Sequence, residues 1–211
     1  MIEIKNITKK YDDRVIFKNF SLKINDGEFV VITGKSGCGK STLLNIIGLL
    51  EDPDKGKVVI DGEKILSSQS KNAAKVIRNK ISYVFQNFAL VDEETVKYNL
   101  MLALRYVKLS HKEKENKIAD ALAKVGLCGY ENKKIYQLSG GEQQRVSLAR
   151  VFLKPSEIIL ADEPTGSLDK ENAAIVINIL KRINRDYGKT VLIVTHDENL
   201  KEIGDRIIDL S

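Results

Sequence analysis

Apolar positions along this chain follow two rhythms. Short unbroken runs, FVVIT (29–33), EIILAD (157–162) and TVLIVT (190–195), predict strands buried on both faces. IEIKNIT and SLKI near the start, and KVVI with RIIDL later, are β-rich and bounded by turn residues such as Asn25-Asp26-Gly27. Asp61-Gly62 after KVVI predicts a hairpin. The second rhythm is helical. KSTLLNIIGLL stops before Pro53, and TVKYNLMLALRYV and KEKENKIADALAKVG follow, the latter ending at Gly126. A third such stretch begins at Ser139, a fourth runs from about Asp169 to Tyr187, and a short one precedes RIIDL. Strand–helix alternation at both ends of the chain predicts an α/β fold with a parallel sheet, interrupted beyond Gln86 by a helical insertion. No repeat, low-complexity tract or long linker divides it.

Composition narrows the class. The 211 residues are 43% hydrophobic and 30% charged, enough for a core under a polar surface. The net charge of +5 comes from 34 basic residues interleaved with 29 acidic ones, which reads as a solvated face, not a nucleic-acid footprint. Two distant cysteines, Cys38 and Cys128, fit neither a disulfide framework nor a zinc site and suit a reducing compartment. The longest apolar run, LLNIIGLL, is too short to span a membrane, and MIEIKNITKK lacks the apolar stretch of a signal peptide. A cytoplasmic chain is expected.

Candidate chemistry begins at GKSGCGKST, Gly34 to Thr42, which follows a strand and opens a helix. That is the context of a phosphate-binding P-loop. Gly34, Gly37 and Gly39 let the amides of Lys35, Ser36 and Cys38 curl around a phosphate. Lys40 supplies charge to its oxygens, and Ser41 a hydroxyl for Mg²⁺. IILADE then ends a strand in Asp162, suited to hold Mg²⁺, and Glu163, suited to accept a proton from water. Gln86 ends ISYVF and can reach the metal or the attacking water; His196 ends VLIVT, where a ring nitrogen can meet the γ-phosphate. All lie at carboxyl ends of strands, where open parallel sheets bind ligands. QLSGGEQQR poses a different problem. Ser139 and Glu142 form a capping box, yet Gly140 and Gly141 fill the first turn, each about 1 kcal/mol worse than alanine inside a helix. Bare amides there suit an anion.

Taken in order, these motifs resemble the nucleotide-binding subunit of an ABC transporter, and the likeness runs end to end. Gly34–Thr42 matches Walker A, Gln86 the Q-loop, Leu138–Glu142 the signature LSGGQ with glutamate in the last place, and Ile158–Asp162 Walker B. Glu163 matches the catalytic glutamate, Ser167–Asp169 the D-loop, His196 the switch histidine, and Tyr11 the aromatic that stacks on adenine. The resemblance implies a P-loop core (1–86 and 155–211) with an N-terminal antiparallel β subdomain and a helical subdomain (87–154). It implies ATP and Mg²⁺ as ligands, ATP hydrolysis coupled to transport, and a head-to-tail dimer with a second copy. Ser139, Gly140, Gly141, Glu142 and Asp169 would then serve the partner's nucleotide. It further implies a separate transmembrane permease at the cytoplasmic face of the membrane, with no nucleic acid and no metal other than Mg²⁺. ADEPTGSLD resembles the branch of lipoprotein release, macrolide export, cell division and antimicrobial-peptide resistance. A small-solute importer and an ATP-gated clamp in nucleic-acid maintenance are the alternatives; the span from Thr42 to Leu138 is too short for the coiled coil of such clamps.

Overall fold

The computed structural model describes residues 1–210, apart from the side chains of residues 198, 199 and 201. The expected core boundary at Ser211 lies outside them. Four strands form an antiparallel sheet: β1 (Ile2–Tyr11), β2 (Arg14–Ile24), β4 (Lys55–Ile60) and β5 (Glu63–Ile65), in the order β2-β1-β4-β5. β4 and β5 make the expected hairpin, with Ile60 opposite Glu63 and both Asp61 and Gly62 at positive φ. The second sheet comprises β3 (Phe29–Thr33), β6 (Ile81–Val84), β7 (Ile158–Asp162), β8 (Thr190–Val194) and β9 (Arg206–Asp209). Its order is β6-β7-β8-β3-β9, and every pairing is parallel.

Alternation along the central strands divides the core. Val30 and Ile32 of β3, Leu160 of β7, and Leu192 and Val194 of β8 face α1 (Lys40–Ile47) and the antiparallel sheet. Val31, Ile159, Ala161, Val191 and Ile193 face the other way. They pack there with α3 (Val96–Ala103), α4 (His111–Lys124), α5 (Gly140–Leu153) and α6 (Lys170–Tyr187). Both faces of each central strand are therefore buried, which is why their sequences are unbroken apolar runs.

Several elements depart from the expectations. β1 and β2 are longer than IEIKNIT and SLKI, because register shifts near Ile4–Ile7 and positive φ at Asn6 and Asn19 break their alternation. α1 ends at Ile47 instead of continuing toward Pro53. A Cβ on Gly48 would lie 2.3 Å from the Tyr83 ring, whose hydroxyl donates to the Leu44 carbonyl, and Leu49 turns left-handed. α2 (Lys71–Lys80), capped by Ser70, was not expected from KNAAKVIRNK; only Ala73 and Val76 of it are buried.

Candidate active site

The loop between β3 and α1 is held in a curl by glycine geometry and by its own lysine. Gly37 and Gly39 take φ of 75° and 105°, which a side chain would strain, and a Cβ on Gly39 would come within 2.4 Å of Ile16. Lys40, 9% exposed, donates from Nζ to the carbonyls of Gly34 (2.8 Å) and Lys35 (3.2 Å). The Cys38 amide donates to the Lys35 carbonyl, and the space beside Gly34 is taken by the Cys38 thiol. α1 then starts with no side-chain cap and no acidic residue in its first turn. Ser70, Thr95, Ser110, Ser139 and Asp169 cap the other five α-helices with their own oxygens. The N-terminal amides of α1 are thus left for an anion, which the helix dipole favours.

A cavity of about 360 Å³ opens over this turn, bounded by Tyr11, Ser36, Lys40, Ser41, Thr42 and Glu163. The Tyr11 ring is half exposed, with its hydroxyl on Glu51 (2.5 Å) and near Thr42 Oγ1 (3.5 Å), and Lys9 lies 5.2 Å from the ring centre. Partial burial and the Glu51 carboxylate push its phenol above the ordinary value. Arg14 and Ile16 also line the cavity, and Arg14 donates to the Gly37 carbonyl at 2.7 Å. Neither was singled out in the sequence, where nothing ties them to a loop that lies beyond β2.

At the ends of β7 and β8 the acidic pair has two distinct settings. Asp162 accepts from Ser41 Oγ at 3.1 Å. Burial pushes its carboxyl above the usual range; the Ser41 hydrogen bond opposes this, and the charge of Glu163 adds to it. Two hard oxygens side by side, one on a carboxylate short of a counter-charge, are a donor set that fits Mg²⁺. Glu163 has φ of 45°, a left-handed backbone uncommon for a non-glycine residue and a form of strain that clusters at functional sites. Its carboxylate is pinned by Thr195 Oγ1 at 3.2 Å and His196 Nδ1 at 2.8 Å. Thr195 is fully buried, and its role was invisible in sequence, since an apolar strand ending in threonine is ordinary.

Other expected residues are not among those that line this cavity. Gln86 is exposed, with its amide nitrogen beside Gly166 in the loop after β7. Ser139, Gly140, Gly141, Glu142 and Asp169 do not line the cavity. The capping box forms as expected: Glu142 accepts from the Ser139 amide at 2.8 Å, and its own amide donates to Ser139 Oγ at 3.3 Å. Tyr130 also donates to Glu142, at 2.8 Å. The two glycines, however, differ. Gly140 is exposed, and a Cβ there would meet only Leu168 and Phe88 at an ordinary 3.9 Å, but Gly141 is buried with Asn172 in the place of a Cβ, its Oδ1 2.2 Å from that position. Gly141 therefore has a packing reason for lacking a side chain, separate from any role of its amide. Its missing side chain makes room for Asn172.

A glycine loop around an uncapped helix start, with the lysine of that helix and two consecutive carboxylates at the end of β7, defines a P-loop nucleotide-binding protein. Comparison with known proteins is more specific. Residues 17–166 match the family described as ABC transporter. An uncharacterised ABC transporter ATP-binding protein of Methanocaldococcus jannaschii, MJ0796, is 43% identical over 218 residues, covering 100% of this chain and 93% of the relative. The macrolide export ATP-binding/permease protein MacB of Campylobacter jejuni is 39% identical over all of this chain, which spans 33% of MacB. The phosphonates import ATP-binding protein PhnC of Lactobacillus johnsonii is 42% identical, covering 99% of this chain and 85% of the relative. Among solved structures, a dimeric post-hydrolysis state of MJ0796 bound to ADP and Pi superimposes with a TM-score of 0.89 at 40% identity, covering 100% of this chain and 94% of that one. The chain belongs to the ABC transporter family and is an ATP-binding ATPase subunit within it. Among the described residues no helix is long and apolar enough to cross a membrane.

Proposed function

We propose that this chain hydrolyses MgATP at two composite sites formed with a second copy of itself, and that closure of this dimer drives a separate membrane permease at the cytoplasmic face. The observation that carries the reading is the uncapped, glycine-curled start of α1, with Lys40, Asp162 and Glu163 gathered around it. In this reading Tyr11 stacks on adenine, and Gly34–Thr42 wrap the phosphates. Ser41 and Asp162, with Gln86, hold Mg²⁺, which when bound neutralises charge on the phosphate oxygens. Glu163 accepts a proton from the attacking water, and in this structure its carboxylate is held by Thr195 and His196. Ser139, Gly140 and Gly141, which do not line the chain's own cavity, complete the partner's site, with Glu142 fixing the serine and Asp169 at the dimer seam. We take residues 87–154 as the helical subdomain that carries them.

For the permease we assign the apolar cleft of about 710 Å³ between α2, α3 and the end of α5, lined by Ile77, Phe85, Leu102 and Val107. Three cations border it, Arg78 over the Tyr106 ring and the more buried Arg150 and Lys154. Burial pulls Arg150 down to about 10 and Lys154 below its ordinary value, so a segment bearing a carboxylate would suit both. Export, or transmission of force to the far side of the membrane, is favoured by the ADEPTGSLD loop. Import of a small solute is the second reading, because PhnC is as similar as MacB.

The test is Glu163→Gln. Loss of the proton acceptor should cut turnover by about 10²-fold or more, while a dimer accumulates on gel filtration with MgATP. Turnover near the wild-type rate would remove Glu163 from this role. Co-purification from detergent-solubilised membranes should bring down a protein with several spans.

A further inference from the structure

Gln144 sits on α5, about one turn beyond the paired glycines, and is 0% exposed. Its Nε2 donates to the Pro164 carbonyl at 2.7 Å, while its Oε1 has no hydrogen-bond partner. A buried amide left half satisfied is costly, and an apolar side chain of similar volume would avoid the cost. What it holds is the residue directly after Glu163, at the left-handed turn that aims the carboxylate. The far side of the same helical turn is fixed as well. Asn172 packs on Gly141 and accepts from Arg145 Nη1 at 3.0 Å, while its amide and Nδ2 donate to Asp169 at 2.8 and 2.7 Å. The start of α5 is therefore clamped to the segment 163–172 at both ends.

We infer that Gln144 is a positioning residue through which the two nucleotide sites of the dimer are coupled. The inference rests on the composite-site reading above. The start of α5 seats on the partner's nucleotide, and the Gln144–Pro164 hydrogen bond carries that seating to Glu163, which serves the chain's own nucleotide. The element with two settings is the Glu163 carboxylate, held by Thr195 and His196 in this structure and aimed at water once the partner's phosphate is engaged. Each site then becomes competent when the other is filled.

The experiment compares Gln144→Met with wild type, since methionine keeps the volume and removes the donor. Coupling of this kind is typically worth roughly 5–150-fold. Turnover should fall about tenfold and the Hill coefficient for ATP from about 2 toward about 1. ATP-driven dimerisation, followed in the Glu163→Gln background, should keep its midpoint within about twofold, because the bond acts after the dimer has formed. Gln144→Glu adds a readout that a packing role would not give. A buried carboxyl donates to Pro164 only when protonated, and burial raises its pKa. Its turnover relative to wild type should therefore climb as pH falls from about 8 to about 6, while the Gln144→Met ratio stays flat. Wild-type turnover and Hill coefficient in Gln144→Met would overturn the inference. So would dimerisation lost in step with turnover, or a flat ratio in Gln144→Glu. Absence of any ATP-driven dimer in the Glu163→Gln chain would instead sink the composite-site reading itself.

Discussion

The paired glycines at the start of α5 can be separated by alanine. At Gly141 a new Cβ would stand 2.2 Å from Asn172 Oδ1, 2.3 Å from its Cγ and 2.9 Å from its Cβ. Asn172 cannot easily retreat, because it is bonded to Asp169 and Arg145. Overpacking of this kind costs about 1–3 kcal/mol, and the rigidity of the neighbour places this site near the middle of that range. The gain in helix propensity from glycine to alanine offsets about 1 kcal/mol, which leaves Gly141→Ala destabilised by about 1 kcal/mol. At Gly140 the nearest atoms, on Leu168 and Phe88, lie 3.9 Å from the Cβ position. Only the propensity gain operates there, so Gly140→Ala should be as stable as wild type or up to about 1 kcal/mol more so. For a chain of this size each kcal/mol is worth about 2–4 °C, so a gap of about 1–2 kcal/mol should separate the two melting midpoints by about 2–8 °C. Thermal unfolding of the nucleotide-free proteins by circular dichroism measures the gap. Function should sort them the other way, with Gly140→Ala weakening ATP-driven dimerisation despite its stability. Equal stability of the two variants, or Gly141→Ala as the more stable, would show that Asn172 does not dictate Gly141.

Further outcomes follow from the electrostatics and the ring contacts. Asp162 is held above its ordinary pKa, so at neutral pH its charge works against folding; Asp162→Asn should raise the melting midpoint of the metal-free chain while weakening Mg²⁺-dependent ATP binding in titration calorimetry. For Glu142 the shift runs downward: burial opposes ionisation, but the Ser139 amide and the Tyr130 hydroxyl outweigh it. Its contribution is therefore present above the ordinary carboxylate pKa and lost as pH falls through the lowered one, and the stability margin of wild type over Glu142→Gln should close on acidification below about pH 4. Base–aromatic stacking is worth about 1–3 kcal/mol, so Tyr11→Ala should weaken ATP by about tenfold in a fluorescent-nucleotide displacement assay. Tyr11→Phe, which keeps the ring and loses only the hydroxyl's contacts with Glu51 and Thr42, should bind nearly as wild type.

Much of this architecture is written in local chemistry. FVVIT, IILAD and TVLIV declare themselves as strands because both their faces are buried. Ser139 with Glu142, and Asp169 before a long amphipathic stretch, announce helix starts through bonds that span three residues. α2 stayed hidden because its apolar residues are confined to the short run Ala73–Ile77, of which only Ala73 and Val76 are buried. The site divides along the same line. The phosphate loop and the strand-end carboxylates are contiguous motifs, whereas Arg14 on Gly37, Thr195 on Glu163, Gln144 on Pro164 and Asn172 on Gly141 are contacts between separate segments. Each of those residues is unremarkable in its own stretch, and only the packing of separate elements onto one another gives it a partner.

Whether one chain's signature turn completes the other's nucleotide site can be asked with an ATP analogue carrying a photoreactive group on its γ-phosphate. A tagged Lys40→Ala chain, weakened in its own phosphate loop, is mixed with an untagged chain whose loop is intact, and labelling of the tag is read after illumination. The expected result is that the tagged chain is labelled only in the mixture, and that labelling disappears when Ser139→Arg is added to the tagged chain. If the tagged chain is never labelled while the untagged chain labels itself, each nucleotide is served within a single chain and the composite site is wrong.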